Sequence, residues 1–169
     1  MIGTDAGALV GMHQIGIALD LDDVLILAVE NAAGTPVSFT ADVPAAIRKA
    51  MASVISDTAT DDVGRLVILA HPDNVALLED VTPVGGATIG EGFSRFSGAL
   101  VYASSAVETG HITVANLSVG VRYFEAQGVL TETDTAPKTG VQTVATSLIG
   151  GYGIGLTGGF AVQVDVVTP

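Results

Sequence analysis

Gly153-Ile-Gly155-Leu-Thr-Gly158 is the stretch whose spacing comes closest to a known chemical task. It satisfies G-x-G-x-x-G, the pattern that lets backbone amides approach a pyrophosphate at a helix N-terminus. That task also needs a following helix, a further strand and an acidic residue about 20 positions on. Only residues 159–169 follow Gly158, and Phe160 to Val167 reads as a strand. The glycines therefore read as positions where a strand bends or backbones pack closely. No Walker lysine motif is present. His13, His71 and His111 include no i, i+4 pair around a Glu, so each reads as an ordinary polar or capping residue rather than a zinc ligand. Asp20, Asp22, Asp23 and Asp57, Asp61, Asp62 offer hard oxygen ligands, but they lack the glycine and terminal Glu of a calcium loop and read as solvated acidic edges. Ser94, Ser97 and Ser147 sit in no nucleophile elbow. With no cysteine there is no thiolate site and no disulfide. The residue types point to no catalytic centre, no cofactor and no metal.

Composition narrows the partners. A net charge of −12 and a pI near 4.2 repel phosphate backbones, and six Lys plus Arg form no basic stripe, so direct sequence-specific nucleic-acid binding is not expected. Charged residues make up 14% of the chain against 49% hydrophobic, with a mean hydropathy of +0.57. That balance suggests surface buried against neighbouring chains, although the many glycines, alanines and valines could also produce it. The apolar run Val24 to Val29 is far shorter than the roughly 20 residues of a membrane span, and no basic leader precedes the first apolar residues. At 169 residues one compact unit is the default.

The elements needed to position anything are legible in part. Met1 to Gly16 is Gly-rich and weakly patterned, and is expected to be partly disordered or dependent on a neighbour. Ile17 to Asn31 reads as a helix with Leu21, Val24, Leu25, Ala28 and Val29 on one face, although Val-Leu-Ile-Leu-Ala-Val also suits a buried strand. Asp42 to Ser56 is a helix capped by Thr40 or Asp42, with Pro44 in its first turn and Ile47, Met51, Val54 and Ile55 on one face. Arg65 to Ala70 reads as a buried strand, and His71-Pro72-Asp73 opens a short helix over Asp73 to Val81. Val81 to Arg95, with its four glycines and a proline, is expected to be an exposed, mobile loop. Strands follow at Ser97 to Ser105, His111 to Asn116, Val119 to Glu125, Val129 to Thr133, Val141 to Ile149 and Phe160 to Val167. Gly110 is expected at positive φ in the turn before His111, and adjacent Tyr123 and Phe124 must point to opposite faces of their strand.

Leu66-Val-Ile-Leu-Ala-His-Pro-Asp73, Gly98-Ala-Leu-Val-Tyr-Ala-Ser-Ser105 and Arg122 to Gly128, taken in that order, resemble the C-terminal part of an HK97-type major capsid protein of a tailed phage or prophage. Ile17-Ala-Leu-Asp-Leu21 and Ala33-Gly-Thr-Pro-Val37 extend the similarity to roughly residues 17 to 167. The resemblance implies an α+β fold with a mixed or antiparallel sheet flanked by helices. It divides the chain into an N-terminal segment with a short helix, residues 1–36, and a capsid-type body, residues 37–169. It implies a structural protein of the virion, assembled in the bacterial host cytoplasm. Such a subunit associates with its own copies in capsomer-like rings and with other phage head proteins, and it is neither an enzyme nor a membrane protein. The loop bearing Gly85, Gly86, Gly90, Glu91 and Arg95 would then lie near a ring axis, with Arg95 and Arg122 offered to acidic groups on neighbouring copies. The family's N-terminal arm and extended loop, which would precede this region, are not found in the sequence, so monomers or capsomer-like rings of five or six, rather than closed shells, are expected of this chain alone. Encapsulin nanocompartments share the fold and are the alternative. A small hydrolase or ligand-binding module with an unrecognised site is the reading from a different class.

Because the glycine pattern lacks its βαβ unit, titration with NAD, FAD or ATP should leave the melting temperature unchanged. A saturable rise would contradict this, since any ligand of the folded state stabilises it by mass action.

Overall fold

Asp42 starts the helix most strongly dictated by its sequence. In the computed structural model, which describes residues 6–33, 37–38, 42–78, 82–83, 93–136, 141–155 and 159–166, the Asp42 carboxylate accepts the Ala45 N–H at 3.4 Å and Pro44 occupies the first turn. The helix, α2 (Val43–Thr58), closes at Ala59, whose left-handed backbone, φ 47°, lets its N–H reach the carbonyls of Ile55 and Ser56. Ala46, Ile47, Ala50, Met51 and Val54 recur at helical spacing and are buried. They pack on a seven-stranded sheet.

The centre of that sheet is β2 (Val67–Ala70), the strand expected from the apolar run after Arg65. It pairs in parallel with β5 (Ala99–Ala103) and antiparallel with β6 (His111–Ala115). The full order is β1 (Val37–Ser38), β9 (Ala161–Asp165), β6, β2, β5, β4 (Phe93–Phe96) and β3 (Thr82–Pro83). Only β1–β9 and β2–β5 are parallel, so the sheet is mixed and mostly antiparallel, in agreement with the fold class read from the sequence.

Several local expectations are corrected. Met1 to Gly16 is not an unpatterned lead: α1 runs from Ala6 to Ala33, 28 residues, and absorbs the helix placed at Ile17 to Asn31. Ala6, Ala8, Leu9, Met12 and Gln14 are good helix formers, and the three glycines among them, each costing about 1 kcal/mol relative to Ala, do not interrupt the helix. The helix expected over Asp73 to Val81 is one short turn, α3 (Pro72–Val75), followed by a 3₁₀ turn over Ala76–Leu78. The ends of the Val81 to Arg95 segment are paired strands, Thr82 opposite Arg95 and Pro83 opposite Ser94. Gly85, Gly86, Gly90 and Glu91 lie outside the described residues.

The turn chemistry also moves. β4 and β5 are joined by Ser97 and Gly98 at φ 48° and 92°, a two-residue loop with both central residues left-handed, as tight hairpins require. Arg48 of α2 donates to Ser97 Oγ at 3.3 Å and lies 5.2 Å over the Phe96 ring, fastening this hairpin to the helix. Gly110 is not at positive φ, and a Cβ there would meet nothing within 4 Å. The turn before β6 is held instead by buried Asn74, whose Nδ2 donates to the carbonyls of Thr109 at 3.0 Å and His111 at 3.4 Å.

After β6 the chain does not run straight into a strand at Val119. Buried Asn116 accepts Val119 and Gly120 N–H groups on its carbonyl and donates Nδ2 to Thr58 Oγ1 at 3.2 Å, opening the four-residue helix α4 (Leu117–Gly120). β7 (Val121–Ala136) and β8 (Val141–Ile154) then form a separate two-stranded sheet. Four residues, 137–140, separate them. A parallel pair needs a crossover of a dozen or more residues, so the pairing is antiparallel. The short strands expected at Val129 to Thr133 and Val141 to Ile149 are pieces of this ribbon. The chain falls into two compact units: residues 1–25 with 123–153, and residues 26–122 with 154–169.

Gly120 shows how tightly the second unit is packed. A Cβ there would lie 2.0 Å from Cδ2 of Phe160, a ring with no exposed surface. Gly120→Ala should therefore destabilise by about 3 kcal/mol, the upper end of the cost of overpacking a core. Denaturant unfolding with an unchanged midpoint would show that the ring can move aside.

Candidate functional site

Two ionisable side chains from distant parts of the sequence meet inside the larger unit. Glu30 comes from the last turn of α1 and His111 opens β6; Oε1 and Nε2 face each other at 3.5 Å, with side chains only 10% and 12% exposed. At that distance the contact is electrostatic rather than a well-formed hydrogen bond, and neither atom has a hydrogen-bonding partner. Burial raises the Glu30 carboxyl above the usual carboxylate range; the His111 charge opposes that rise, and Glu108 adds to it. The pair places a carboxyl opposite an imidazole. Among the described residues no group of three His, Cys, Asp or Glu is placed to hold a metal ion. Sequence spacing gave no signal for this pair, because His111 was legible only as a polar residue at a strand start.

The other histidine and acidic groups do local work. His71 accepts the Asp73 N–H on Nδ1 at 3.3 Å and caps α3, as its reading as a capping residue implied. Asp62 accepts the Gly64 N–H at 2.9 Å and forms an exposed ion pair with Arg65 at 3.6 Å. Asp57 accepts a long hydrogen bond from Ser53 Oγ at 3.5 Å. Gly153 and Gly155 of the glycine pattern lie at the end of β8 and just past it, and Phe124 Cε2 fills the space of a Gly153 Cβ at 2.9 Å. Gly158, the third glycine of the pattern, lies outside the described residues.

Of the residues expected to face neighbouring copies, Arg95 and Arg122 are described, and both are exposed. Arg95 donates NH1 to the Gly98 carbonyl at 2.8 Å across its own hairpin. Arg122 donates NH1 to the carbonyls of Ser118 at 3.0 Å and Val121 at 3.2 Å. A guanidinium carries five N–H donors, so each retains donors for a further acceptor. The structure does not bring the two arginines into one cluster: Arg95 sits near the β3 edge of the sheet and Arg122 at the root of the ribbon.

The ribbon supplies the feature that the sequence reading reached only in outline. Tyr123 and Phe124 do point to opposite faces: Tyr123 packs on Tyr152, ring centroids 5.3 Å apart, while Phe124 crosses Gly153. Phe124 is 64% exposed, Ile149 57% and Leu130 40%. Among the described residues no helix is long and apolar enough to cross a membrane.

Neither a family model nor a curated protein matches the sequence. Solved structures do match the fold. The subunit in the asymmetric unit of the bacteriophage PhiM1 mature capsid superposes with a TM-score of 0.68 at 12% identity, covering 99% of this chain and 67% of that one. This is a capsid-type fold. A virus-like particle from Pyrococcus furiosus gives a TM-score of 0.55 at 13% identity, covering 86% of this chain and 62% of its own. The satellite phage P4 procapsid, which includes the size determination (Sid) protein, gives 0.47 at 11%, covering 73% and 39%. The chain thus spans about two thirds of the length of the PhiM1 capsid chain and of the virus-like particle chain.

Glu30 makes stability depend on pH in a defined direction. An acid whose folded pKa is raised stabilises the fold fully below its unfolded pKa, and that contribution is lost as pH rises through the folded value. Glu30→Gln removes the loss, so the variant's melting temperature relative to wild type should increase between pH 4 and pH 7. An equal difference at both pH values would show that the carboxyl titrates as it does in water.

Proposed function

We propose that this chain is a structural subunit of a phage or prophage head, tiling an icosahedral shell by association with its own copies. The observation that carries the reading is the superposition of 99% of the chain on a phage capsid subunit at a TM-score of 0.68. The absence of any legible catalytic constellation in the sequence supports the same class. In this reading the protein works in the virion with other head proteins, after assembly in the host cytoplasm, and carries out no reaction. Residues 1–36 lead into the capsid-type body of 37–169.

The mechanism is repeated weak contact. Each interface buries a modest area, and closed symmetry makes the sum stable because every copy is held by several neighbours at once. The loop with Gly85, Gly86, Gly90 and Glu91 meets its counterparts around the ring axis, and Arg95 and Arg122 turn their remaining donors toward carboxylates on adjacent copies. Those pairs are exposed and add little energy each, so their role is register rather than strength. No observation specifically favours the encapsulin or hydrolase alternatives.

A net charge of −12 opposes association of like copies. Lowering the pH from 7 toward 5 discharges carboxylates, and added salt screens them. Light scattering should therefore report more association in both series, with negative-stain images showing rings of five or six. Single dispersed particles under every condition and at high concentration would defeat the proposal. Dissociation by salt would mean that specific Arg–carboxylate pairs, rather than general repulsion, set the balance.

A further inference from the structure

We infer that the outer face of the β7–β8 ribbon, carrying Phe124, Leu130 and Ile149, is a docking surface for a second copy of this chain; the inference rests on the shell-subunit reading and says where one contact is made. Strand alternation puts Phe124 and Leu130 on one face of β7. Gly153 lies beneath the Phe124 ring, and Ile149, four residues back on β8, shares that face. On the opposite face Tyr123 is 44% exposed and Tyr152 half-buried. There Tyr123 stacks on Tyr152, whose phenol is pushed up first by burial and then by Asp22 of α1. The Phe124 face therefore carries the two most exposed large apolar side chains of the described ribbon, Phe124 and Ile149, and two-stranded sheets are marginal without packing on a face.

The occupant follows from charge and area. Copies of a chain carrying −12 meet at least cost where neither surface is charged. A two-fold contact brings a patch against itself, so any charge on it is doubled. Between Phe124 and Leu130 on β7, and from Ala145 through Ser147 and Ile149 to Gly153 on β8, the described residues of this face are all uncharged; Glu132 stands at its far end. A cationic partner would be drawn to the acidic residues elsewhere on the chain and gains nothing here. The three side chains expose on the order of 300 Å² of apolar surface, well under the roughly 800 Å² per partner of a stable isolated complex. Such a contact is weak by itself and holds only when each copy in a ring or shell repeats it, which suits a shell subunit and not a free dimer.

Replacing Phe124 and Ile149 together by Ser tests this. Both side chains are more than half exposed, so the melting temperature should hold while the association constant from sedimentation falls at least tenfold. Wild type that associates, with the double variant associating equally, would overturn the inference and leave the shell reading intact. Wild type that never associates would overturn both. Should the double variant melt early, Ile149→Cys in this cysteine-free chain accepts a spin label that must become immobilised on association, with Ala52→Cys on the exposed side of α2 as the comparison. A label at residue 149 that stays mobile while the protein associates would place the contact elsewhere and overturn the inference.

Discussion

Four residues, Val67 to Ala70, determine where everything else in the larger unit can go. Their backbone is hydrogen-bonded on both sides, in parallel to β5 and antiparallel to β6, while Ile68, Leu69 and Ala70 are closed to solvent. A strand in that position must be apolar on both faces, and Leu66-Val-Ile-Leu-Ala meets that demand. The helix α2 packs its Ile47, Met51 and Val54 face over the same sheet, and the Ser97–Gly98 hairpin is tied back to the helix by Arg48. Through β6 the centre also reaches His111, and so the end of α1.

Polar groups inside this unit are used mainly as clamps. Asn74 holds the turn ahead of β6, and Asn116 holds the chain where it leaves β6, each by hydrogen bonds to groups far away in sequence. Satisfied buried amides of this kind fix one conformation, because every alternative leaves a desolvated donor or acceptor. Among the described residues Thr113 Oγ1 is buried without a hydrogen-bond partner, and the Glu30–His111 pair departs from the pattern too. The pair is buried with the geometry of an electrostatic contact and without complete hydrogen bonding, and burial raises the Glu30 carboxyl, which makes it a place where the fold is sensitive to protonation.

Much of this was legible in the sequence where local signals and burial agree. Asp42, Pro44 and the Ile47–Met51–Val54 spacing define α2, and the apolar run after Arg65 defines β2, because capping and periodicity act over a few residues. The capsid-type α+β architecture was legible from the order of such segments. What was missed depends on contacts distant in sequence. Residues 6–16 are a local exception, where three glycines obscure a helix whose other residues are mostly good helix formers. Gly110 looked like the turn glycine, yet Asn74, some 35 residues earlier, does that work, and Ser97–Gly98 takes the left-handed positions instead. The ribbon looked like separate short strands because its interior carries Gly, Ala, Glu and Asp, which weaken the β signal without breaking the ladder. The loop residues Gly85, Gly86, Gly90 and Glu91 fall outside the described structure.

The position of the ribbon in the chain has a consequence for synthesis. β6 pairs along one edge with β2, an earlier strand, but its other edge pairs with β9, and the whole of α4, β7 and β8 is made between the two. While the ribbon is being translated, Ile112 to Ala115 present an apolar strand whose neighbour does not yet exist, and β1 waits for the same neighbour. An open apolar edge of this kind is a template for pairing with another nascent chain. The interval ends only when Ala161 to Asp165 leave the ribosome, so β9 is the strand that closes this edge against premature association.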